Sequence, residues 1–245
     1  MTDRAYRPVA GALVGVLDGP LAGTTKLTDD EGRFELTGTA AGAVTLRVSR
    51  NGFQTRTLAF SQPSTTAPVY WPLWLDTLEL PIGLDPGDYR LTLAIDLATA
   101  SGFGAPCAGF PAELAPRSYR ATIAARSPPM SHYNRSVRAA DATLDWPDLF
   151  DFGVAGSFVG FEWDDSLTET LPGFRYLDIG GNAPTTEPAL ADGSSVSVPF
   201  NGGFAYCQLK SARGVYNHCS QVPAEQIVAY HTCSSARATM VFTKR

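Results

Sequence analysis

The chain has 245 residues, of which 44% are hydrophobic, so it is long enough to bury the core of one large or two medium domains. Its 23 glycines and 18 prolines, beside only 18% charged residues, favour short strands joined by turns and indicate an all-β protein. The formal net charge of −5, without a run of Lys and Arg, argues against a nucleic-acid partner, and no apolar run approaches the roughly 20 residues of a membrane-spanning helix.

A turn flanked by two strands is predicted at residues 28–36, which read Thr-Asp-Asp-Glu-Gly-Arg-Phe-Glu-Leu. The acidic run cannot be buried unpaired, and Gly32 can adopt the positive φ that a tight turn demands. Phe34 and Leu36 then alternate with charged residues, which predicts a strand with one apolar face. Residues 43–50 alternate in the same way and are predicted to form another strand of the same sheet.

The Thr-Asp-x-x-Gly-x-Phe-x-Leu core follows a Pro-Val-x-Gly-Ala segment at residues 8–12 and precedes Gly52-Phe53. In order and spacing these motifs resemble carboxypeptidase regulatory-like domains over about residues 1–75. The resemblance implies a small, non-catalytic, transthyretin-like β-sandwich of the kind found in secreted bacterial proteins. We place this domain at residues 1–78, and an unrelated hairpin is the alternative.

The start of the sequence departs from that family. Its members open with a strand that ends in a turn like Val-Thr-Asp, whereas this sequence begins inside the turn at Met1-Thr2-Asp3. The resemblance therefore predicts that the first strand is missing. The N-terminus has no apolar core of a signal peptide and, read literally, indicates a cytoplasmic protein. A signal peptide upstream of this start would be lost with the missing strand, so we still expect an extracellular or periplasmic location.

An aromatic segment, Tyr70-Trp71-Pro72-Leu73-Trp74, lies at the end of the first domain. Its rings could form an exposed platform for sugars or lipid, and packing between two domains explains them equally well. The turn signal Asp85-Pro86-Gly87-Asp88 then opens the second domain, which we place at residues 79–245.

The second domain begins with the clearest period of two in the sequence, where Tyr89, Leu91 and Leu93 share one face. Short, turn-rich spacing favours an antiparallel barrel, or a sandwich, that closes on itself, and we expect the barrel. A single short helix is predicted around residues 144–152. The eight predicted strands are residues 89–97, 119–125, 157–163, 174–179, 195–200, 204–209, 227–233 and 238–243.

This second domain also resembles the lipocalin-like barrels that accompany regulatory-like domains in secreted bacterial proteins. An early cysteine precedes an Arg-x-Tyr-x-Ala-x-Ile motif at residues 117–123, and a late cysteine precedes the last strand. True lipocalins carry Gly-x-Trp near the first strand, and none of the four tryptophans here has Gly two residues before it. A bound small molecule therefore does not follow from topology alone.

The four cysteines all lie in the second domain, and an even count in a turn-rich β domain indicates two disulfides in an oxidising compartment. We predict that Cys107 bonds to Cys233, because barrel closure makes the regions after the first strand and before the last strand neighbours. Cys207 and Cys219 are predicted to close a local loop. The alternative is a metal site formed with nearby histidines, but the usual paired ligand spacing is absent.

The sequence predicts neither an enzyme nor a bound cofactor. Gly156-Ser157-Phe158-Val159-Gly160 places its serine one position too early for a nucleophile elbow, and the glycine-rich loops that hold phosphates are absent. The catalytic alternatives are a triad that uses a histidine as its base and an acid–base pair as in glycosidases. The carboxylates that could form it are those of Asp145, Asp148, Glu162, Asp164 and Asp165.

We therefore expect a non-catalytic, secreted or cell-surface module that binds a small-molecule or carbohydrate ligand. The predicted contacts are Trp146 and Trp163, which bring large aromatic rings, and Tyr176 in the middle of a strand. A structural or adhesive spacer of a longer surface protein, and a hydrolase that uses carboxylates, are the alternatives. An apolar cavity would favour binding, a filled barrel the spacer, and a cleft joining two carboxylates the enzyme.

Overall fold

A computed structural model describes residues 1–38, 42–62, 68–98, 100, 107, 109–126, 133–139, 150–162, 167–183 and 187–245. Within these ranges strands dominate, which confirms the all-β prediction. The described helices are three short 3-10 turns, at Ala112–Leu114, Cys219–Gln221 and Ala224–Gln226. In the part of the chain that the structure describes, no helix is long and apolar enough to cross a membrane.

Six strands form the N-terminal region. They are β1 (Thr2–Asp3), β2 (Leu13–Val16), β3 (Thr25–Leu27), β4 (Gly42–Ser49), β5 (Arg56–Gln62) and β6 (Trp74–Leu75). An antiparallel sheet has the order β3-β2-β4-β5, and β1 pairs in parallel with β6. On β4 the side chains of Val44, Leu46 and Val48 are buried, while Arg47 is exposed, as the sequence alternation predicts. Leu73 and Leu75 pack on that buried face, so the region is sandwich-like.

The turn at residues 29–33 forms as predicted, but the strand expected after it does not. Gly32 has a φ of +72°, and the Asp29 carboxylate accepts hydrogen bonds from the N–H groups of Glu31 and Arg33. Phe34 and Leu36 are half-buried against the N-terminal core, so the predicted facing is right. The segment they occupy lies outside the four-stranded sheet, because side-chain burial alone does not provide a strand with a pairing partner.

The second region contains ten strands. They are β7 (Gly87–Ala94), β8 (Arg117–Ala125), β9 (Arg135–Ala139), β10 (Phe150–Ala155), β11 (Phe158–Glu162), β12 (Leu167–Leu171), β13 (Arg175–Ala183), β14 (Leu190–Asp192), β15 (Ser195–Leu209) and β16 (Ile227–Lys244). The sheet has the order β12-β13-β11-β10-β9-β8-β7-β16-β15-β14, and β13 also pairs with β15. That pairing closes eight strands into an antiparallel barrel, with β12 and β14 attached at its rim.

The barrel strands differ from the predicted ones in two ways. The segments predicted as separate strands on either side of residue 202 join into β15, and those on either side of residue 235 join into β16. A register shift between Phe200 and Gly202 marks the bend, and a side chain at Gly202 would overlap the Phe200 ring and Ala238. Glycine there therefore bends a continuous strand instead of ending it.

The predicted set of strands does not include β9, β10, β12 and β14. The short helix predicted around residues 144–152 is wrong at its end, because Phe150–Ala155 is a strand antiparallel to β11. Residues 140–149 lie outside the described part of the chain. Phe150, Phe152 and Val154 all face the barrel core with a period of two. Burial of that apolar face therefore favours a strand, despite the turn-like sequence that precedes it.

The N-terminal region contacts the barrel directly. The Arg7 guanidinium lies 3.6 Å from the centroid of the Phe158 ring, a cation–π contact. The rings of Tyr6 and Tyr133 meet edge to face with centroids 5.7 Å apart. A side chain at Gly160 would overlap Ala5 and Tyr6, so glycine permits this close approach. The boundary that we propose between residues 78 and 79 falls in the segment that connects β6 to β7.

Gly32→Ala is expected to destabilise the protein. A left-handed residue with a Cβ costs about 1–2 kcal/mol, and the Cβ would also overlap the Met1 carbonyl oxygen. Gly23→Ala is the matched control, since Gly23 has a φ of +83° with nothing within 4 Å of an added Cβ. Urea denaturation should show a larger loss for Gly32→Ala than for Gly23→Ala. Equal losses would mean that the contact with Met1 is absent in solution.

Candidate functional site

The predicted ligand contacts are only partly within the described structure. Trp146 and Trp163 lie outside the described residues. Tyr176 lies on β13 and is buried beneath the loop that connects β15 to β16. Its hydroxyl accepts a hydrogen bond from the Arg213 N–H at 3.0 Å, and the Arg213 guanidinium covers its ring at 4.5 Å. A ligand would have to displace Arg213 to reach this ring.

A buried carboxylate, Asp178, holds the same loop to the barrel wall. It accepts hydrogen bonds from the Cys219 N–H at 2.6 Å and from the Thr168 hydroxyl at 3.0 Å, and it pairs with Arg213 at 3.4 Å. Burial raises the pKa of the Asp178 carboxyl, although these three partners act in the opposite direction. Its oxygens are therefore occupied by the protein itself.

A second buried carboxylate, Glu169, faces the barrel interior from β12. It pairs with the Arg117 guanidinium, whose Nε lies 2.8 Å from Oε2, and accepts a hydrogen bond from the Tyr119 hydroxyl at 2.9 Å. Burial, followed by the nearby Glu169 charge, raises the pKa of the Tyr119 hydroxyl above its ordinary range. We call Arg117, Tyr119 and Glu169 the interior clamp, because it joins β8 to β12 through one charged network.

Aromatic side chains pack together in the described interior of the barrel. Phe150 and Phe161 have ring centroids 5.6 Å apart, and Phe161 and Phe200 are 5.7 Å apart. Phe242 continues the row, at 6.0 Å from Phe152. These distances are those of packed aromatic pairs, and the side chains come from strands on several sides of the barrel. The described core is therefore built as a packed interior.

The two disulfides are those that the sequence predicts, because Cys107 is bonded to Cys233 and Cys207 to Cys219. The sulfurs are thus unavailable as thiolate ligands, which removes the alternative of a metal site built on them. Among the described residues, no group of three or more His, Cys, Asp or Glu side chains is arranged to hold a metal ion. His231 instead stacks against Tyr206, with ring centroids 6.3 Å apart.

The carboxylates proposed for a hydrolase cannot be compared with the structure. Asp145, Asp148, Asp164 and Asp165 lie outside the described residues, as does the side chain of Glu162. Ser157 lies in the turn between β10 and β11, where its carbonyl accepts a hydrogen bond from the Ala189 N–H. This is a strand–turn–strand setting, whereas a nucleophile elbow joins a strand to a helix.

The aromatic segment before the barrel does not form a common platform. Tyr70 is 88% exposed, but Trp71 stacks on Phe60 with ring centroids 5.3 Å apart. Trp74 is buried between the guanidinium groups of Arg4 and Arg56, at 5.2 and 4.5 Å from its ring. Packing therefore accounts for the two tryptophans.

An open pocket on the outer wall of the barrel was not predicted from the sequence. It has a volume of about 250 Å³ and is lined by Arg90, Ser118, Tyr119, Arg120 and Arg245. The period of two in β7 predicts Arg90 on the outer face of the barrel, and this alternation can be seen in the sequence. The meeting of Arg90 with Arg120 depends on the register between two strands, which one sequence does not give.

Comparison with known proteins identifies the first part of the chain. Residues 1–69 match the family model of the carboxypeptidase regulatory-like domain, so the N-terminal region is such a domain, as its motifs indicate. The eight-stranded barrel agrees with the lipocalin-like resemblance in its strand number, which is weaker support. No curated protein and no solved structure matches the chain.

Glu169→Gln is expected to lower the free energy of unfolding by about 3 kcal/mol, because it leaves Arg117 without its carboxylate partner in a mostly buried site. Glu113→Gln is the matched control, since Glu113 is exposed. Tyr119→Phe removes a single hydrogen bond and should cost about 1 kcal/mol. Urea denaturation measures all three variants. A loss for Glu169→Gln as small as that of the control would show that the clamp contributes nothing to stability.

Proposed function

We propose that this chain is a non-catalytic module of a secreted or cell-surface protein, and that its barrel serves as a rigid spacer instead of a ligand container. The observation that carries the proposal is the row of aromatic side chains across the described barrel interior. Phe152, Phe161 and Phe200 are each 0% exposed to solvent. Ligand sites are typically clefts of about 300–1,000 Å³, and these three rings occupy described interior space that such a cleft would need.

The state of the buried carboxylates supports a non-catalytic role. A general acid or base must reach the proton that it transfers, and a nucleophile must reach the reacting atom. Glu169 is occupied by Arg117 and Tyr119, and Asp178 is occupied by Arg213, Thr168 and Cys219. These networks hold strands and a loop in place, so both carboxylates have a structural role.

The disulfides and the regulatory-like domain support a location outside the cytoplasm. Disulfides persist in oxidising compartments and are rare where glutathione keeps thiols reduced. The Cys107–Cys233 bond joins residues 126 positions apart, and the Cys207–Cys219 bond joins residues 12 apart. In the chain-entropy model the longer loop gives the larger stabilisation, of about 4–5 kcal/mol against about 3.

The alternative is a module that binds a small-molecule or carbohydrate ligand through Trp146, Trp163 and Tyr176. Tyr176 is the member of this set that the structure describes, and Arg213 covers its ring at 4.5 Å. The two proposals differ in whether the purified protein retains a ligand and in whether an added ligand changes its tryptophan emission.

The spacer proposal predicts that native mass spectrometry of the full chain gives the mass of the protein alone. It also predicts that tryptophan emission stays unchanged on titration with a fatty acid or a neutral oligosaccharide. Phe161→Ala serves as a positive control, because its cavity between Phe150 and Phe200 should admit benzene. Phe161→Val replaces it if the alanine variant fails to fold.

A retained ligand, or a saturable emission change with either probe, would overturn the spacer proposal. A ligand that native mass spectrometry detects on the natural chain, and that Trp146→Phe or Trp163→Phe no longer retains in a variant that remains folded, would establish the binding alternative instead.

A further inference from the structure

The first residues of the chain form a turn that the buried Asp3 carboxylate holds together. One of its oxygens accepts hydrogen bonds from the N–H groups of Ala5 and Arg7, at 2.8 and 3.0 Å. The other oxygen pairs with the Arg7 guanidinium, whose Nε lies 2.7 Å away. The Asp3 N–H donates in turn to the Arg7 carbonyl. We call residues 3–7 the docking turn, because these bonds fix the shape of a segment that contacts the barrel.

The docking turn lies directly against the β10–β11 hairpin of the barrel. A Cβ added to Gly160 on β11 would lie 2.7 Å from the Tyr6 ring and 2.8 Å from the Ala5 backbone. Two residues earlier on the same strand, the Phe158 ring is covered by the Arg7 guanidinium at 3.6 Å. Three consecutive residues of the turn therefore contact one barrel strand, and at Gly160 only a residue without a side chain permits this approach.

The backbone of the docking turn is strained at Tyr6. Its φ of +61° is left-handed, a conformation that a bulky residue rarely adopts and that persists only where the surrounding structure holds it. The Tyr6 N–H bonds to the Asp3 carbonyl at 3.2 Å within the turn. On the other side, the Tyr6 ring meets the Tyr133 ring of the barrel region edge to face at 5.7 Å. Contacts from both domains thus hold this residue in place.

The connection between the two domains provides a second attachment. The Leu78 N–H bonds to the Gly52 carbonyl of the N-terminal domain, and the Ile82 N–H bonds to the Gly156 carbonyl of the barrel, both at 2.9 Å. Residues 79–81 are all that separates these two bonds along the chain. Because Gly156 lies in the turn between β10 and β11, the connection is fixed to the same hairpin that the docking turn contacts.

We propose that the β10–β11 hairpin is the surface on which the carboxypeptidase regulatory-like domain docks, and that the docking turn and the short connection join both domains into one rigid body. Relative motion is the default expectation for two domains of one chain. A single attachment would permit rotation about it, whereas two separate attachments to one hairpin fix the orientation. The inference extends rigidity from the barrel to the whole chain, and it rests on these contacts and not on the spacer proposal.

Residual dipolar couplings of the backbone N–H groups, measured on the full chain in a dilute aligned medium, test the proposal. In a rigid body, strands β2–β5 and the barrel strands share one alignment tensor. Gly160→Ala should give the two domains different tensors, because the added Cβ overlaps the Ala5 backbone. Gly203→Ala is the matched control on another barrel strand, where an added Cβ meets the Cys233 carbonyl at an ordinary 3.8 Å, so the shared tensor should remain.

A double variant, Tyr133→Ala with Phe158→Ala, keeps the test decisive if Gly160→Ala fails to fold. It removes both rings that the docking turn contacts, and both rings lie outside the buried core of the barrel. This variant should also require two tensors. Two tensors for the natural chain, or a shared tensor that survives in the variants, would overturn the proposal. The couplings do not report a ligand in the barrel, so the spacer proposal is tested separately by native mass spectrometry.

Discussion

The pairing of β13 with β15 is the constraint on which the barrel depends. Eight residue pairs, from Arg175–Gln208 to Asn182–Asn201, hold these strands together along nearly the whole of β13. The other edge of β13 is shared, with β12 pairing to its first half and β11 to its end. Because β13 pairs with β11 on one edge and with β15, from the far part of the sheet, on the other, the sheet closes into a barrel.

Closure has consequences for the interior and for the outer wall. Once the sheet is closed, every second side chain must fill a common interior, and the phenylalanines of β10, β11, β15 and β16 do so. The interior clamp places charged groups in this otherwise apolar interior. They are tolerated because Glu169 is paired with Arg117 and hydrogen-bonded to Tyr119. The alternate side chains, such as those of Arg90 and Arg120, lie on the outer wall.

The sequence predicts those features that depend on neighbouring residues or on closure itself. The alternation of Tyr89, Leu91 and Leu93 fixed the facing of β7, and closure brought Cys107 to Cys233. Contacts set by register or by long separation could not be predicted in this way. Glu169 contacts Arg117, which lies 52 positions earlier in the sequence. The strand β15 continues through Gly202, although the sequence around this glycine resembles a loop. Trp146 and Trp163 remain predictions.

Native-state hydrogen exchange tests closure most directly. The amides of β13 and of residues 203–208 in β15 should exchange only through global unfolding, with the same free energy as the amides of β7 and β8. Those of β14, an exposed three-residue strand at the rim, should exchange much earlier and provide the internal comparison. Early exchange of the β13 and β15 amides, at the level of β14, would mean that the sheet is open and would contradict the account.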